Sequence, residues 1–154
     1  MMAEKKVSVL IVDDSEDIGT SLRGVFEAKG YAVQTAVTAK EGLEKAERRG
    51  FNIALIDIKL PDRSGVEVLK EIRRKHPTTV GIMITGYANL DNAVASLNEG
   101  AFAYLQKPLN IDKVLETVKR AAETQRELAV ATEKSVTAFI KERAEQLRRE
   151  GKLS

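Results

Sequence analysis

A chain of 154 residues has room for one domain and an appendage, and its 43% hydrophobic content is enough to fill a core. Its 25 basic side chains face 23 acidic ones, and a formal charge of +2 gives no reason to expect nucleic acid or a bilayer as the main partner. There is no cysteine for a disulfide or thiolate metal site, no apolar leader before Val7, and no run near the roughly 18 apolar residues that cross a membrane, so a soluble cytoplasmic protein is expected.

Val7 to Val12 is a short apolar run of the kind buried on both faces of a parallel sheet, and it ends in Asp13-Asp14. Ser15 or Asp14 caps the helix that follows, whose Ile18, Leu22, Val25 and Phe26 repeat at helical spacing until Gly30. Tyr31 to Val37 reads as a strand with mixed alternation, suited to a sheet edge or a place near it. Thr38 and Glu41 form a capping box for a second helix, closed by Gly50. Ile53 to Ile56 is the next buried-strand run. It stops at Asp57, and Pro61 and Gly65 mark the loop beyond. Ser64 and Glu67 make another capping box, opening a helix with Val68, Leu69 and Ile72 that Pro77 stops. His76, the single histidine, sits at that helix end, where a cation suits the dipole, and reads as structural. Thr79 to Thr85 is a fourth strand ending in a hydroxyl. Asn89 to Glu99 reads as a helix, stopped by Gly100. Ala101 to Gln106 is a fifth strand running into Lys107-Pro108, and Asn110 caps a last helix from Ile111.

Strand and helix alternate five times with short connections, which predicts an α/β domain: a five-stranded, doubly wound parallel sheet with helices on both faces. The flavodoxin-like strand order 2-1-3-4-5 fits this count and makes the first and third strands neighbours. Asp13, Asp14 and Asp57 then meet at the carboxyl edge of the sheet. Three carboxylates in one place raise each other's pKa unless a cation joins them, and carboxylate oxygens with room for water suit Mg²⁺ or Mn²⁺ better than zinc. The fourth strand brings the Thr85 hydroxyl to the same edge and the fifth brings the Lys107 ammonium. A divalent ion, an ammonium and a hydroxyl around one carboxylate would neutralise an incoming phosphoryl group, with Asp57 as the attacking oxygen nucleophile. Each residue alone has a plain reading as a cap, a strand-end turn or a surface lysine. The convergence of all five at the carboxyl ends of their strands favours the chemistry.

From Lys6 to about Ala122 the chain closely resembles the receiver domain of bacterial two-component response regulators. The resemblance rests on Asp13-Asp14, Asp57-Ile-Lys-Leu-Pro61 with Gly65, Thr85-Gly86, Gly100-Ala101 and Lys107-Pro108, in order and on the expected elements. It implies that Asp57 accepts a phosphoryl group from a sensor histidine kinase or phosphotransfer protein, and that the chain is a phosphoacceptor rather than a turnover enzyme. It also implies that Asp14, Asp57 and the Lys59 carbonyl bind Mg²⁺ with Asp13 acting through water, that Thr85 and Lys107 contact the acyl phosphate, and that the Lys107–Pro108 bond is cis. The implied switch draws the Thr85 hydroxyl inward and moves the Tyr104 ring, remodelling the face formed by Ala88 to Glu99, Phe102 to Leu105 and the last receiver helix. Lys59 and Tyr87, each two residues beyond a site residue, are placed to hang over the phosphoryl group. The segments Thr85-Gly-Tyr-Ala and Gly100 to Pro108 are similar to receivers of ATPase-type transcription activators.

The receiver is expected to occupy 1–122, leaving 123–154 as a helical extension. Ile111, Leu115, Val118, Ala122, Gln125, Ala129, Thr132, Val136, Phe139 and Arg143 follow an alternating four-three spacing, with Leu128, Ile140, Ala144 and Leu147 beside it. One long helix, or two with a break near Thr132 to Ser135, fits equally well. A coiled coil pairing two receivers, a linker to an absent output domain, and a basic end (Arg143, Arg148, Arg149, Lys152) touching DNA are three uses for it. No helix-turn-helix follows and the charges are interleaved with acids, which argues against DNA. Two other classes are weighed for the domain. A phosphoryl hydrolase usually wants a second acid two residues after its nucleophile, where this chain has Lys59, and it needs a cap insertion that is missing. A phosphate-independent scaffold has no use for the intact set Asp13, Asp14, Asp57, Thr85 and Lys107.

Overall fold

The computed structural model describes residues 6–86, 100–130 and 136–153; the helix expected at Asn89 to Glu99, together with Tyr87, Ala88 and the break at Thr132 to Ser135, lies outside them. Strands β1 (Ser8–Val12), β2 (Ala32–Ala36), β3 (Ile53–Asp57), β4 (Val80–Thr85) and β5 (Ala103–Gln106) form one parallel sheet in the order β2-β1-β3-β4-β5. Among the described residues the helices are α1 (Glu16–Ala28), α2 (Ala39–Arg48), α3 (Gly65–Lys75), α4 (Ile111–Leu128) and α5 (Val136–Arg149). The doubly wound expectation is met, and β2, with its mixed alternation, is an edge strand as its sequence foretold.

The apolar strands are buried throughout. Val9 to Val12 and Ile53 to Ile56 are all 0% exposed, because a central parallel strand has helices above and below it. Alternate residues feed two cores. Val9, Ile11, Ile53, Leu55, Ile82 and Ile84 share one with Leu22, Phe26 and Val118. Leu10, Val12, Ala54, Ile56 and Met83 share the other with Ala46, Leu69 and Ile72. Full burial of each Val, Leu, Ile, Phe or Met among them contributes about 1.5–3 kcal/mol. Register then fixes what leaves the sheet together: Val12 pairs with Ile56, Asp57 with Ile84 and Thr85 with Gln106, so the residues after β1, β3, β4 and β5 emerge at one edge.

The caps are largely the local ones the sequence announces. Ser15 Oγ accepts from the Ile18 N–H, Thr38 Oγ1 from Glu41 and Asn110 Oδ1 from Lys113. Ser64 departs from its expected box: its hydroxyl accepts from Val66, while Glu67 pairs with Arg63, which also holds Glu71. A nearby guanidinium out-competes a backbone N–H for the carboxylate. His76 is structural, with Nε2 3.0 Å from the Ala46 carbonyl, joining the end of α3 to α2.

One cap comes from far along the chain. Asp62, in the loop after β3, accepts from the Ala39 N–H at 2.8 Å and the Lys40 N–H at 3.0 Å, tying that loop to the start of α2. These two backbone donors, Ala39 first, hold its carboxyl below the ordinary 3.8. A lowered folded pKa gives stability that is present above the unfolded value and lost as pH falls through the folded one. Asp62→Ala is therefore expected to lower the melting temperature at pH 7, and the gap from the unmodified protein closes below pH 3.8. A gap that persists undiminished at low pH removes the carboxylate from this role.

The extension is two helices. Helix α4 ends at Leu128 and α5 begins at Val136. The buried stripe of α4 is Val114, Val118, Ala121, Ala122 and Leu128, while Ile111, first in the expected seam, is 39% exposed. Leu128, Ile140 and Ala144, which lie beside that seam in sequence, join its Val118 and Ala122 in the core, because α4 turns these faces to the sheet and to α5. No described helix is long and apolar enough to cross a membrane.

Candidate functional site

Asp13 and Asp14 follow β1, and Asp57 ends β3, its neighbour in the sheet. Each of the three offers a carboxylate oxygen within 4.8 Å of the others. Asp13 and Asp57 are buried, at 2% and 4% exposure, while Asp14 faces solvent. Lys107, the residue after β5, sends its ammonium between the two buried acids: Nζ lies 3.0 Å from Asp13 Oδ2 and 2.9 Å from Asp57 Oδ2. The backbone supplies further donors, Ser15 N–H to Asp13 Oδ1 and Lys59 N–H to Asp57 Oδ1, at 2.8 and 2.9 Å.

These contacts set the electrostatics. Burial pushes the Asp13 carboxyl above its ordinary value, an effect the Ser15 N–H and Lys107 only partly offset. Burial works against charge on Lys107 as well, but Asp57 and Asp13 together outweigh it and raise its pKa. Asp13 Oδ2 is buried and, although paired with the ammonium, receives no hydrogen bond of good geometry. A crowded all-oxygen donor set with one under-served buried oxygen fits a hard divalent cation such as Mg²⁺. Asp13, Asp14 and Asp57 are the side chains that would hold it. The Lys59 main chain is pinned beside them by its N–H bond to Asp57.

Thr85 ends β4 and is 1% exposed, its carbonyl accepting from the Lys107 N–H at 2.7 Å. Tyr104 is half-buried on β5 opposite Met83, so the period of two places it on the same sheet face as Thr85. The Lys107–Pro108 peptide is cis, as expected. The sequence-derived residues Asp13, Asp14, Asp57, Lys59, Thr85 and Lys107 thus come together at one edge, and Tyr87 lies outside the described residues. Sequence reasoning missed two features. Lys107 bridges Asp13 as well as Asp57, which only the β1–β3 adjacency could reveal. An apolar groove of about 320 Å³ also runs beside Lys107, lined by Ile18, Leu22, Pro108, Leu109 and Ile111, where α1 meets the start of α4.

A doubly wound sheet with three acids and a lysine at its carboxyl edge is the form of a signalling receiver domain. The chain belongs to the response regulator receiver domain family, whose model matches residues 9–119. It is 38% identical over 120 residues to the nitrogen assimilation regulatory protein NtrX of Azorhizobium caulinodans, a match covering 77% of this chain and 26% of NtrX. The chain thus spans about a quarter of that relative's length. Among solved structures it is similar to a CheY-like receiver domain from Methanospirillum hungatei, with TM-score 0.78 and 46% identity over 80% of this chain and 98% of that one. It is also similar to the beryllofluoride-activated NtrC4 receiver domain dimer, with TM-score 0.73 and 36% identity over 77% and 98% of the two chains.

Proposed function

We propose that this receiver takes a phosphoryl group from a phosphohistidine onto Asp57, with Mg²⁺ (or Mn²⁺) held by Asp13, Asp14, Asp57 and the Lys59 carbonyl. The observation that carries the proposal is the Lys107 ammonium seated between two buried acids, with a third acid in reach. An Asp57 oxygen attacks phosphorus, the O–P bond forms as the N–P bond breaks, and the imidazole of the donor leaves with the electron pair. When bound, the divalent cation supplies positive charge to the phosphoryl oxygens and relieves repulsion among the acids. Lys107 stands where it can pass from pairing Asp57 to pairing the phosphoryl group, and the buried Thr85 hydroxyl lies at the end of the next strand. The apolar groove beside Lys107 offers a seat for the donor, a sensor histidine kinase or phosphotransfer protein.

The switch proposed from here is a movement of Thr85 toward the phosphoryl group, with the Tyr104 ring following on the same sheet face. It controls a partner or dimerisation, in line with the beryllofluoride-activated dimer formed by the NtrC4 receiver. Since the chain covers a quarter of NtrX, we read 1–122 as the receiver and 123–154 as an extension leading toward an output domain in a longer regulator. A cytoplasmic site of action goes with a kinase donor.

The test is addition of beryllofluoride with Mg²⁺, followed by calorimetry and by size-exclusion chromatography with light scattering. The expected result is Mg²⁺-dependent uptake at one site per chain. No uptake overturns the phosphoacceptor reading in favour of a phosphate-independent scaffold, and the scattering mass separates monomer from dimer. One kinetic consequence concerns Lys59, whose exposed side chain starts at the rim of the site and shields the acyl phosphate from water. Lys59→Ala is expected to shorten the aspartyl-phosphate lifetime in a radiolabel decay assay; an equal or longer lifetime refutes the shielding.

A further inference from the structure

Helix α5 comes back onto its own domain. Ile140 and Ala144, at 0% and 1% exposure, join the core that also contains Phe102, Val118 and Leu128. Three polar contacts fasten the helix along its length. Arg148 Nη2 donates to the Phe102 carbonyl at 2.9 Å, Arg143 Nη2 lies 2.8 Å from Glu127 Oε2, and Arg73 Nη2 lies 3.5 Å from Thr137 Oγ1. Two of these act where the chain leaves residues 87–99 and enters β5. Phe102 immediately precedes β5, and the Arg73 guanidinium fills the space beside Gly100, where a Cβ would come within 2.2 Å of Nη1. Gly100 has φ +87°, so that turn is both conformationally special and closely packed.

The same strand ends at the phosphoacceptor site. Phe102 is gripped by α5 at one end of β5, and Lys107 is held between Asp13 and Asp57 at the other. Between them Ala103 and Leu105 are 2% and 3% exposed, and the strand is registered against β4 from Ile82 to Thr85. Such a packed, hydrogen-bonded strand moves as a unit rather than deforming along its length. A phosphoryl group on Asp57 replaces the single charge of the carboxylate beside Lys107 with one of about −1.5 to −2 carried further out on the phosphoryl oxygens, drawing the ammonium from the arrangement that accompanies the docked tail.

We infer that α5 is an intrachain clamp on the start of β5, docked while Asp57 is unmodified and released when Asp57 is phosphorylated. This rests on the phosphoacceptor reading above and adds its regulation. The apolar side of α5 is occupied by its own receiver, so pairing with a second copy through Ile140 and Ala144 requires this release first. Coupling of this kind is reciprocal: whatever factor the modification takes from docking, undocking returns to binding at Asp57.

The full chain tests this with Mg²⁺ and beryllofluoride as the probe. In the unmodified sequence, amide hydrogen exchange across residues 140–149 is expected to accelerate about tenfold on adding the probe, while β1 and β3 stay protected. Ile140→Asp, which undocks α5, is expected to bind the probe about three- to tenfold more tightly. Arg148→Ala, which removes the bond to Phe102 from a half-buried side chain, shifts affinity the same way and serves if the first variant does not fold. Probe uptake with α5 exchange unchanged within about twofold, or with both folded variants binding like the parent, overturns the clamp alone. Failure of the parent chain to take up the probe overturns the phosphoacceptor reading and the clamp with it.

Discussion

Asp57→Asn is expected to abolish phosphoryl uptake while leaving the domain folded. With acetyl phosphate and Mg²⁺ the parent chain is expected to gain about 80 Da, the mass of PO₃H, and the variant nothing. The amide keeps the shape of the side chain and one oxygen to accept from the Lys59 N–H or from Lys107, so β3 retains its packing among residues that are 0% exposed. It lacks the anionic oxygen proposed to attack phosphorus, and it removes one of three charges from the proposed cation site. Intact-mass spectrometry decides the matter. A gain that survives in Asp57→Asn moves the phosphoryl group to another residue and removes the basis of the functional reading.

Gly65→Ala is the substitution with the largest expected structural effect. A Cβ there would lie 2.0 Å from the Asp57 carbonyl oxygen and 2.8 Å from the Asp57 carbonyl carbon, with Ile56 Cγ2 at 2.9 Å. Two of those atoms are backbone and cannot rotate away. The Gly65 N–H also donates to the Ile58 carbonyl at 2.7 Å, so the turn cannot open without losing that bond. The loop from Ile58 to Ser64 has to shift as a body, against the Asp62 tether to α2. Overpacking of this severity costs about 3 kcal/mol, or roughly 10 °C in melting temperature for a chain of this size. The same shift moves the Lys59 main chain and Asp57, so Mg²⁺-dependent uptake of beryllofluoride weakens in parallel. Gly24→Ala is the matched control: nothing lies within 4 Å of a Cβ in the middle of α1, and the change stabilises by about 0.5–1 kcal/mol. Calorimetric melting of the three proteins checks both signs, and a Gly65→Ala protein that melts and binds like its parent excludes the close approach as a constraint.

Much of the site was legible because its signals are local. An apolar run that stops at an acid, a hydroxyl or a lysine marks a strand end whatever the rest of the chain does, and β1, β3, β4 and β5 all carry such a mark. The alternation of strand and helix then left few topologies, and the order 2-1-3-4-5 placed Asp13 and Asp14 beside Asp57. Caps at Ser15, Thr38 and Asn110 were readable for the same reason, each bonding within three residues. The cap from Asp62 was not, since its donors lie 22 and 23 residues back along the chain and the only sequence trace is an acid after a proline.

By itself the amino-acid order determined the five-stranded domain and the residues gathered at its carboxyl edge. Only the tertiary structure decided that Lys107 spans two buried acids, that Asp62 ties the loop after β3 to α2, and that α5 turns back to seat Ile140 and Ala144 against the receiver. The reason is physical. Helical periodicity establishes which side chains share a face, and the stripe of Leu128, Ile140 and Ala144 satisfies a second helix in another chain as well as it satisfies a neighbouring core. Which surface it meets depends on the shape and the fixed donors and acceptors that the rest of the fold presents, here the Phe102 carbonyl reached by Arg148, and none of that is encoded in spacing alone.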